Sequence, residues 1–431
     1  MSALTKKDAR FVWHPYTQHG RNAPVLAVTS AKGAFLETEN GARYLDAISS
    51  WWVNIHGHGR SEIAEAIHRQ ALALDHVHFA GVTHAPAADL AECLVRLSGL
   101  GTGSRVFFSD DGSTAVEAAL KICHQYWENY GEKRPRVLVF RGGYHGDTVG
   151  AMSAGKSSGF FQSFQSWLFH VDALEPPPLW WGHDAREAEE RALAKLDSLL
   201  RRKSNGFCAL LVEPLIQGAG GMRVHSARFL KRVCQTVKKF GIPVIFDEVM
   251  TGFYRTGTLF AFQQTGFRPD LLCLSKALTG GVLPLGATVV RKHLFDAFLG
   301  PDFSRALAHG HSFTGNAISC AAALASLDIL EKENARERVA ALAEGLAARL
   351  AALARDCNII HPRALGAIAA FDLPDHSPNY THNSAEPIRR RALEQGLLIR
   401  PMGNVIYIMP PYCVTSTQLD FIFDTLRRCL P

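Results

Sequence analysis

The chain contains the stretch Ile242-Pro-Val-Ile-Phe-Asp247-Glu248, a short apolar run that ends in two carboxylates. A second run, Asp270-Leu-Leu-Cys-Leu-Ser275-Lys276, ends in an amine. Neither run alternates apolar with polar residues, which indicates strands buried on both faces of a parallel sheet. Because ligands bind at the carboxyl ends of strands in an open α/β sheet, we predict that Asp247 and Lys276 lie at a ligand site.

Asp247 and Lys276 are the two residue types that pyridoxal phosphate requires. A lysine amine can bind the cofactor aldehyde covalently, and a carboxylate can keep the pyridine nitrogen protonated so that the ring withdraws electrons. Attraction to the pyridinium also keeps a buried carboxylate ionised. Taken alone, Asp247 could be a polar strand terminus and Lys276 a solvated helix start, but the pair favours the cofactor.

Similar apolar runs recur along the middle of the chain and alternate with helical patterns. Apolar residues at helical spacing predict helices at Thr114 to Tyr130 and Ala227 to Phe240. The predicted strands are Arg105 to Ser109, Arg136 to Phe140, Ala209 to Val212, Pro243 to Asp247, Leu271 to Leu274 and Ala287 to Val290. This order predicts a doubly wound, mostly parallel α/β domain.

After Asn316 the sequence changes to long helical patterns followed by shorter apolar runs. These segments are Ala317 to Leu330, Ala335 to Arg355, Ala367 to Phe371 and Val405 to Met409. They favour a smaller α+β domain, so we predict a large domain over residues 61–316 and a C-terminal small domain over residues 317–431. The Pro- and Trp-rich segment Asp172 to His183 is predicted to lie on the surface without regular structure.

Composition is typical of a globular protein. The chain has 431 residues, of which 47% are apolar, and a mean hydropathy near zero. Its net charge of +6 is scattered, which is poor evidence for nucleic acid binding. We see neither a signal peptide nor an apolar run of about 18 residues, and the nine cysteines form no Cys-x-x-Cys pair. We therefore predict reduced thiols, a cytoplasmic location, no membrane contact and no metal site.

A candidate phosphate site is Ser109-Asp-Asp-Gly112-Ser113-Thr114-Ala-Val-Glu117, which follows a predicted strand and opens a helix. Gly112 permits a tight turn, and the backbone N–H groups and hydroxyls of Ser113 and Thr114 could hold a dianionic phosphate. An ordinary helix N-cap at Ser113 or Thr114 explains the same pattern without a ligand. The pattern alone leaves both interpretations open.

Three segments resemble those of the class III, fold type I, pyridoxal phosphate aminotransferases. They are Phe246-Asp-Glu-Val-Met-Thr-Gly-Phe-Tyr-Arg-Thr-Gly257, Leu274-Ser-Lys-Ala-Leu-Thr-Gly-Gly281 and His311-Ser-Phe-Thr-Gly-Asn316. The resemblance covers nearly the whole chain. It implies pyridoxal 5′-phosphate as cofactor, a small domain that also includes the N-terminal segment 1–60, and a homodimer with shared active sites.

The resemblance also implies residue roles. Lys276 would bind the cofactor, Asp247 would pair with its pyridine nitrogen, and Tyr144 would stack on its ring. The implied phosphate contacts are Gly112, Ser113 and, from the partner subunit, His311 and Ser312.

A further set of segments resembles one branch of this family. They are Trp13-His-Pro-Tyr16, Ser49-Ser-Trp51-Trp52, Ile55-His-Gly57, Tyr144-His-Gly-Asp147, Ile216-Gln-Gly-Ala-Gly-Gly-Met222, Ile399-Arg400-Pro401 and Met409-Pro-Pro-Tyr412. The branch implies amino transfer from S-adenosyl-L-methionine to 8-amino-7-oxononanoate in biotin biosynthesis. The implied substrate contacts are Tyr16, Trp51, Tyr144, Lys276, the backbone of Gly310, and Arg400, which would receive the oxo-acid carboxylate.

These residue types suit both small-molecule substrates. A long aliphatic acid needs an apolar wall and one guanidinium, whose planar fork binds a carboxylate through parallel hydrogen bonds. A sulfonium cation is attracted to the face of a tryptophan or tyrosine by roughly 0.5–2 kcal/mol. Without the resemblance, Trp51 and Trp52 would be core residues, Arg400 a surface arginine and Tyr16 a docked aromatic.

Three other functions fit parts of the pattern. One is a class III transaminase for ω-amino acids or diamines with pyruvate or oxoglutarate as acceptor, which Tyr16, Trp51 and Arg400 disfavour. The others are an aminomutase and a cofactor-free binding protein, the latter disfavoured by Asp247 with Lys276. Lysine replaces adenosylmethionine as donor in some relatives, so the sequence leaves the donor open.

The chain departs from the common family pattern at Met250, Tyr254 and Ser312. Ser312 keeps the hydroxyl of the usual threonine, so phosphate binding is expected to survive. Tyr254 could narrow the entrance or pack outward. Arg255 is predicted to be a structural anchor rather than a second anion contact.

Overall fold

The computed structural model describes residues 2–21, 25–374 and 384–431. In chain order the strands are β1 (Val28–Lys32), β2 (Phe35–Thr38), β3 (Arg43–Asp46), β4 (Arg105–Ser109), β5 (Arg136–Phe140), β6 (Val171–Leu174), β7 (Phe207–Val212), β8 (Ile216–Gln217), β9 (Arg223–Val224), β10 (Val244–Asp247), β11 (Leu271–Leu274), β12 (Gly286–Val290), β13 (Ile360–Leu365), β14 (Ile368–Asp372), β15 (Leu397–Leu398) and β16 (Val405–Ile408). The α-helices are α1 (Ala3–Phe11), α2 (Ser49–Trp52), α3 (Ser61–Ala73), α4 (Ala85–Ser98), α5 (Gly112–Asn129), α6 (Val149–Ala154), α7 (Arg186–Lys203), α8 (Ala227–Lys238), α9 (Lys292–Asp296), α10 (Ala317–Lys332), α11 (Ala335–Asp356), α12 (Glu386–Glu394) and α13 (Ser416–Cys429).

A seven-stranded sheet forms the centre of the fold, with the strand order β4-β12-β11-β10-β7-β5-β6. Strand β12 is antiparallel to both of its neighbours. The remaining pairs are parallel. All of the predicted strands of the large domain form in this sheet, with ends within about two residues of those predicted. The doubly wound, mostly parallel sheet is therefore confirmed.

Strand β10 is buried on both faces of this sheet. Val244 and Phe246 pack in one apolar cluster with α7 and α8, whereas Ile245 packs in another with α5. Because successive side chains of a strand point to opposite faces, helices must cover both sides. This burial explains why the predicted strands show no polar alternation.

The edge strand β6 corrects one prediction. Residues Asp172 to His183 were expected to lack regular structure, but Val171–Leu174 pairs in parallel with β5. The prediction is wrong for Asp172 to Leu174. An edge strand has only one neighbour, and the polar Asp172 is tolerated there because it accepts a hydrogen bond from Nε of Arg136 at 2.6 Å.

Two smaller sheets lie outside the central sheet, and one of them joins both ends of the chain. The first has the order β1-β2-β3-β15, in which the C-terminal β15 pairs in parallel with the N-terminal β3. The second is the antiparallel sheet β13-β14-β16. Strands from both termini thus share one sheet, which confirms a smaller α+β unit built from both ends. The boundaries at residues 60 and 316 stay predictions.

The nine cysteines are free thiols, and most of them are buried. Burial raises the pKa of Cys123, Cys234 and Cys273 well above the usual value, as expected for inert packed thiols. Within the described ranges, none of the helices combines the length and the apolar character that a membrane crossing needs.

Candidate active site

A cavity of about 650 Å³ opens at the carboxyl ends of β7, β10 and β11. The predicted site residues that line it are Gly112, Ser113, Tyr144, Asp247 and Lys276. These residues come from four separate parts of the sequence. The parallel strands bring them together because their carboxyl ends meet at one edge of the sheet.

Asp247 ends β10 and lies against His145, which the sequence analysis did not single out. Oδ2 of Asp247 is 2.7 Å from Nδ1 of His145, and Oδ1 accepts the Val249 N–H at 3.1 Å. Burial lowers the pKa of His145, but the hydrogen bond to Asp247 and the charge of that carboxylate outweigh burial and raise the pKa overall. This contact fixes the orientation of the Asp247 carboxylate at the end of β10.

Lys276 follows β11 and faces the ring of Trp52. Its backbone has φ +44°, in the left-handed region that side-chain-bearing residues rarely adopt, and such strain is common at functional positions. Nζ lies 5.5 Å from the centre of the Trp52 ring. Burial lowers the pKa of Lys276, while the charges of Asp247 and Glu213 act in the opposite direction. A lowered pKa increases the neutral, nucleophilic fraction of the amine.

The start of α5 differs in detail from the predicted phosphate site. Asp111 is the N-cap: its Oδ1 accepts the Thr114 N–H at 2.8 Å, and its own N–H donates to the Thr114 hydroxyl at 2.9 Å. The expectation of a free Thr114 N–H is therefore wrong, and so is an N-cap at Ser113 or Thr114. The N–H groups of Gly112 and Ser113 have no partner in the described part of the chain.

The space beside Gly112 and Ser113 tolerates no added side chain. A Cβ on Gly112 would lie 2.5 Å from Cγ1 of Val249, and a Cβ on Gly146 would lie 2.2 Å from Oγ of Ser113. The Ser113 hydroxyl is fixed by Thr148, whose N–H donates to it at 3.0 Å. Two free N–H groups at a helix N-terminus, framed by glycines, form a suitable cradle for a phosphate dianion.

Glu213 lies just beyond β7 and was missed by the sequence analysis. Its Oε2 accepts the Tyr144 N–H at 3.1 Å, and its Oε1 accepts the Gly218 N–H at 2.8 Å. Burial raises the pKa of Glu213 to about 7, and the nearby charge of Asp247 acts in the same direction. Glu213 could have been identified from the sequence, because it is a carboxylate directly after a buried strand, as Asp247 is.

The raised pKa of Glu213 predicts a measurable pH dependence of stability. A carboxyl whose pKa rises on folding stabilises the folded state below its unfolded pKa of about 4.5, and that contribution disappears as the pH rises through about 7. Glu213→Gln does not titrate. We compare the free energy of unfolding of Glu213→Gln with that of the parent at each pH. The difference, variant minus parent, should therefore increase by roughly 2–4 kcal/mol between pH 4.5 and pH 7.5.

Urea unfolding of the cofactor-free protein at both pH values measures this difference. The amide has one acceptor oxygen for two N–H donors, so Glu213→Gln is expected to be the less stable protein at pH 4.5. Glu344→Gln, at an exposed helix position, is the control and should show no pH-dependent difference. A pH-independent difference for Glu213→Gln would contradict the raised pKa.

The predicted substrate residues form a row beside the cavity. The hydroxyls of Tyr16 and Tyr144 both donate to Oδ1 of Asp147, at 2.8 and 3.0 Å. The Tyr16 ring meets Trp51 edge-on at 5.9 Å, and the guanidinium carbon of Arg400 lies 4.0 Å from the centre of the Trp51 ring. This row is an aromatic wall that ends in a cation.

The two adjacent tryptophans have different environments. Trp52 is buried, and its Nε1 donates to the Tyr407 hydroxyl at 2.9 Å, so core packing describes it well. Trp51 is 37% exposed, and its ring stacks against the guanidinium of Arg400. The interpretation of Trp51 as a core residue is therefore wrong. Arg400 has no hydrogen bond or ion pair among the residues that the structure describes.

The segment Gly310 to Ser312 does not line the cavity of its own chain. Gly310 and Ser312 are exposed, and the Ser312 carbonyl is 2.7 Å from Nε2 of His76. Nδ1 of His311 lies 3.5 Å from Oδ2 of Asp110, close to the start of α5. The single chain therefore leaves this part of the predicted site incomplete.

Met250, Tyr254 and Arg255 all pack against buried residues. Met250 is buried in an apolar cluster with Trp52, and Tyr254 packs against the main core. Arg255 is fully buried, and its guanidinium donates to the carbonyl of Pro410 at 2.9 Å. These contacts support the prediction that Arg255 is an anchor.

The fold and this site define a pyridoxal phosphate transaminase of the class III type. The chain belongs to that family, because the family model for aminotransferase class-III matches residues 16–430. Pyridoxal 5′-phosphate is therefore its cofactor, as predicted.

Individual relatives narrow the comparison. The chain is 45% identical over 420 residues to the adenosylmethionine-8-amino-7-oxononanoate aminotransferase of Synechococcus elongatus, covering 97% of this chain and 98% of that protein. The crystal structure of the enzyme of that name from Methanocaldococcus jannaschii superposes with a TM-score of 0.90 at 35% identity, covering 99% of this chain and 98% of that chain. A PLP-bound amine transaminase from an uncultivated Pseudomonas species superposes with a TM-score of 0.91 at 32% identity, covering 97% of this chain and 98% of that chain.

The cavity fits the cofactor at each of its functional groups. The free N–H groups of Gly112 and Ser113 would hold the phosphate, Asp247 would hold the ring-nitrogen proton, and Lys276 would hold the aldehyde carbon. When bound, pyridoxal phosphate supplies an electron-withdrawing ring next to the substrate carbon. The structure thus offers an anion cradle, a carboxylate and an amine in one cavity.

Proposed function

We propose that this chain transfers the amino group of S-adenosyl-L-methionine to 8-amino-7-oxononanoate, which gives 7,8-diaminononanoate in biotin biosynthesis. The observation that carries the proposal is the guanidinium of Arg400, which stacks on Trp51, has no polar partner among the described residues and lies at the end of the aromatic row that begins at Tyr144. A long oxo acid with one terminal carboxylate matches an aromatic wall with one cation at its end. The aromatic faces would also attract the sulfonium of the donor.

Protein side chains account for the proton movements. Lys276, kept partly neutral by burial, would take a proton from the substrate carbon that bears the amine and then return a proton, acting as base and acid. Asp247, held by His145, would keep the proton on the ring nitrogen. Donor and acceptor would use the same cavity in turn, which predicts ping-pong kinetics.

A half-reaction tests the proposed donor. The cofactor-loaded protein is mixed separately with S-adenosyl-L-methionine, lysine, alanine and a β- or ω-amino acid, and the visible absorbance of the bound cofactor is followed. We expect S-adenosyl-L-methionine to bleach the absorbance, and subsequent addition of 8-amino-7-oxononanoate to restore it. The deaminated donor should appear in amounts equal to the bleached sites.

Each other outcome identifies a different enzyme. Bleaching by lysine alone would change the donor and keep the acceptor. Bleaching by a β- or ω-amino acid, with recovery on pyruvate or oxoglutarate, would replace the proposal by an ω-amino acid or diamine transaminase. An amino group that moves within the added donor, with no free keto product, would indicate an aminomutase.

We infer that the active protein is a homodimer with shared sites. Gly310 and Ser312 are exposed and lie outside the cavity of their own chain, and the neighbouring Phe313 is 60% exposed. At the N-terminus, Phe11 and Trp13 are 69% and 90% exposed. Large exposed aromatics of this kind favour burial against a second copy. His311 and Ser312 would then complete the phosphate site of the partner.

Mixed subunits test this sharing. Ser312→Asp places a negative charge against the proposed phosphate position, and Lys276→Ala removes the amine, so homodimers of either variant should be inactive. If Ser312 acts on the partner's site, refolding the two variants together produces heterodimers with one intact site. Activity should then recover to about a quarter of the parent value. No recovery, with heterodimers present, would contradict sharing.

We further propose a cytoplasmic location and a division of the chain near residues 60 and 316. Nine free thiols suit a reducing compartment. The sheet that joins β3 to β15 supports assigning the N-terminal segment 1–60 to the small domain.

A further inference from the structure

A second cavity of about 580 Å³ lies apart from the site around Lys276. It is lined by residues that follow β5, by β9, and by parts of β13, β14 and β16. None of its lining residues lines the first cavity. The two cavities are therefore separate binding spaces.

Positive charge is in excess in the second cavity. Arg141, Arg223 and Arg363 line it, whereas Asp372 is the carboxylate among the described lining residues. Asp372 is already engaged, because Oδ1 accepts from Arg363 at 2.7 Å and Oδ2 is 2.9 Å from Nδ1 of His361. The remaining guanidinium charge is available to an anion.

Arg223 is the guanidinium with the most capacity for a ligand. It forms no hydrogen bond or ion pair in the described part of the chain, whereas Arg141 pairs at 3.0 Å with the exposed Glu175. Nη1 of Arg223 lies 3.5 Å from the position that a Cβ on Gly142 would occupy, so the side chain extends across the end of β5. Burial lowers the pKa of Arg363, and the charge of Arg223 acts in the same direction, as expected for neighbouring like charges.

A buried hydroxyl in the cavity wall also has no partner. Oγ of Ser158 is inaccessible to solvent and forms no hydrogen bond with the described residues. The adjacent Ser157 differs, because its hydroxyl accepts the Gly142 N–H at 2.9 Å. A buried polar atom without a partner is uncommon, and rotation of the Ser158 side chain toward the cavity would let a ligand supply the missing hydrogen bond.

Aromatic and apolar side chains form another part of the lining. The ring of Trp180 lies 4.2 Å from that of His361 and stacks at 4.0 Å on that of His183. The apolar residues that also line the cavity are Leu179, Val224, Ile360, Met402 and Val405. A ligand that fills the cavity would therefore combine an acidic group with an apolar or flat body.

We propose that this cavity binds a small organic anion whose phosphate or carboxylate contacts Arg223 and, after rotation of the serine side chain, the hydroxyl of Ser158, and whose flat body packs against Trp180. The excess positive charge disfavours the sulfonium donor, which carries a net positive charge. Phe160 lines the cavity and contacts the rings of Tyr16 and Tyr144 at 6.2 and 5.8 Å. A ligand bound in this cavity would therefore contact Phe160, which touches two rings of the aromatic row. Binding in this cavity does not require the proposed reaction.

Calorimetric titration of the cofactor-loaded protein tests the site. Cofactor loading fills the phosphate cradle at Gly112, and the probes are phenyl phosphate, benzoate and inorganic phosphate. In the Arg400→Ala background, which removes the cation of the substrate row, we expect phenyl phosphate or benzoate to bind once per chain, with the tighter probe identifying the acidic group. Arg223→Ala should raise the Kd at least about tenfold, since a charge-assisted hydrogen bond is lost. Trp180→Ala should bring the Kd of phenyl phosphate close to that of inorganic phosphate.

Two control variants separate this site from other anion contacts. Arg336→Ala removes an exposed helical arginine outside the cavity and should not change the Kd. Arg400→Ala removes the cation of the substrate row, so it should abolish any binding of the probe there and leave the Kd of the second cavity unchanged. The proposal is overturned if neither aromatic probe binds, if Arg400→Ala abolishes binding while Arg223→Ala does not, or if Arg336→Ala weakens it as much as Arg223→Ala. Thermal unfolding of Arg223→Ala checks that the variant is folded.

Discussion

Lys276→Ala is expected to abolish turnover, with a loss of roughly 10⁴-fold or more, because it removes both the covalent attachment of the cofactor and the base for the proton transfer. The protein should remain folded. Lys276 is a desolvated amine whose removal relieves a burial cost, so the unfolding temperature should be equal to or higher than that of the parent. Steady-state rates, thermal unfolding and the visible absorbance of the lysine-bound cofactor measure the three effects.

The matched control for this experiment is Lys195→Ala, on the exposed face of α7. It should keep full activity and the visible absorbance. Parent-like turnover in Lys276→Ala, or an unchanged absorbance, would remove Lys276 from its proposed role. Simple loss of activity with unfolding would be recognised from the thermal transition.

Arg400→Ala is expected to lower kcat/KM for the oxo acid about 10²–10³-fold. Two charge-assisted hydrogen bonds to the substrate carboxylate would be lost. Arg400 is the cation that stacks on Trp51, so its removal takes away the proposed carboxylate contact at that end of the aromatic row. The donor half-reaction should change much less, since its chemistry is centred on Lys276. Steady-state kinetics for the acceptor and the bleaching rate with donor alone provide the two measurements.

Arg400→Lys is the informative companion variant. It keeps the charge but loses the planar fork, so only part of the acceptor affinity should return. Equal losses in both half-reactions for Arg400→Ala would indicate a structural role instead. Restoration of Arg400→Ala activity by added guanidinium would support the carboxylate contact.

Much of the central fold was predictable because burial on two faces leaves a strong signal. The runs that became β10 and β11 are continuously apolar, and their ends carry Asp247 and Lys276. A weaker signal was missed at the edge of the sheet. Strand β6 has only one neighbouring strand and includes the polar Asp172, which interrupts its apolar run.

Part of the predicted site lines one cavity, whereas its local bonding was not predictable. The sequence placed Gly112, Ser113 and Thr114 together, but not the capture of the Thr114 N–H by Asp111. Glu213 follows a buried strand, as Asp247 does, but it was missed because a single carboxylate there also fits an ordinary polar strand end. Its role depends on two N–H donors, at Tyr144 and Gly218, that lie far from each other in the sequence.

The sequence by itself determined the strand and helix order, the identity of the amine and carboxylate, and the resemblance to a family. Tertiary structure decided which side chains meet: Asp247 with His145, Arg400 with Trp51, and Tyr16 with Tyr144 through Asp147. The physical reason is one of range. Apolar periodicity is a local property of the chain, whereas hydrogen bonds, burial and the resulting pKa shifts depend on groups that only folding brings together.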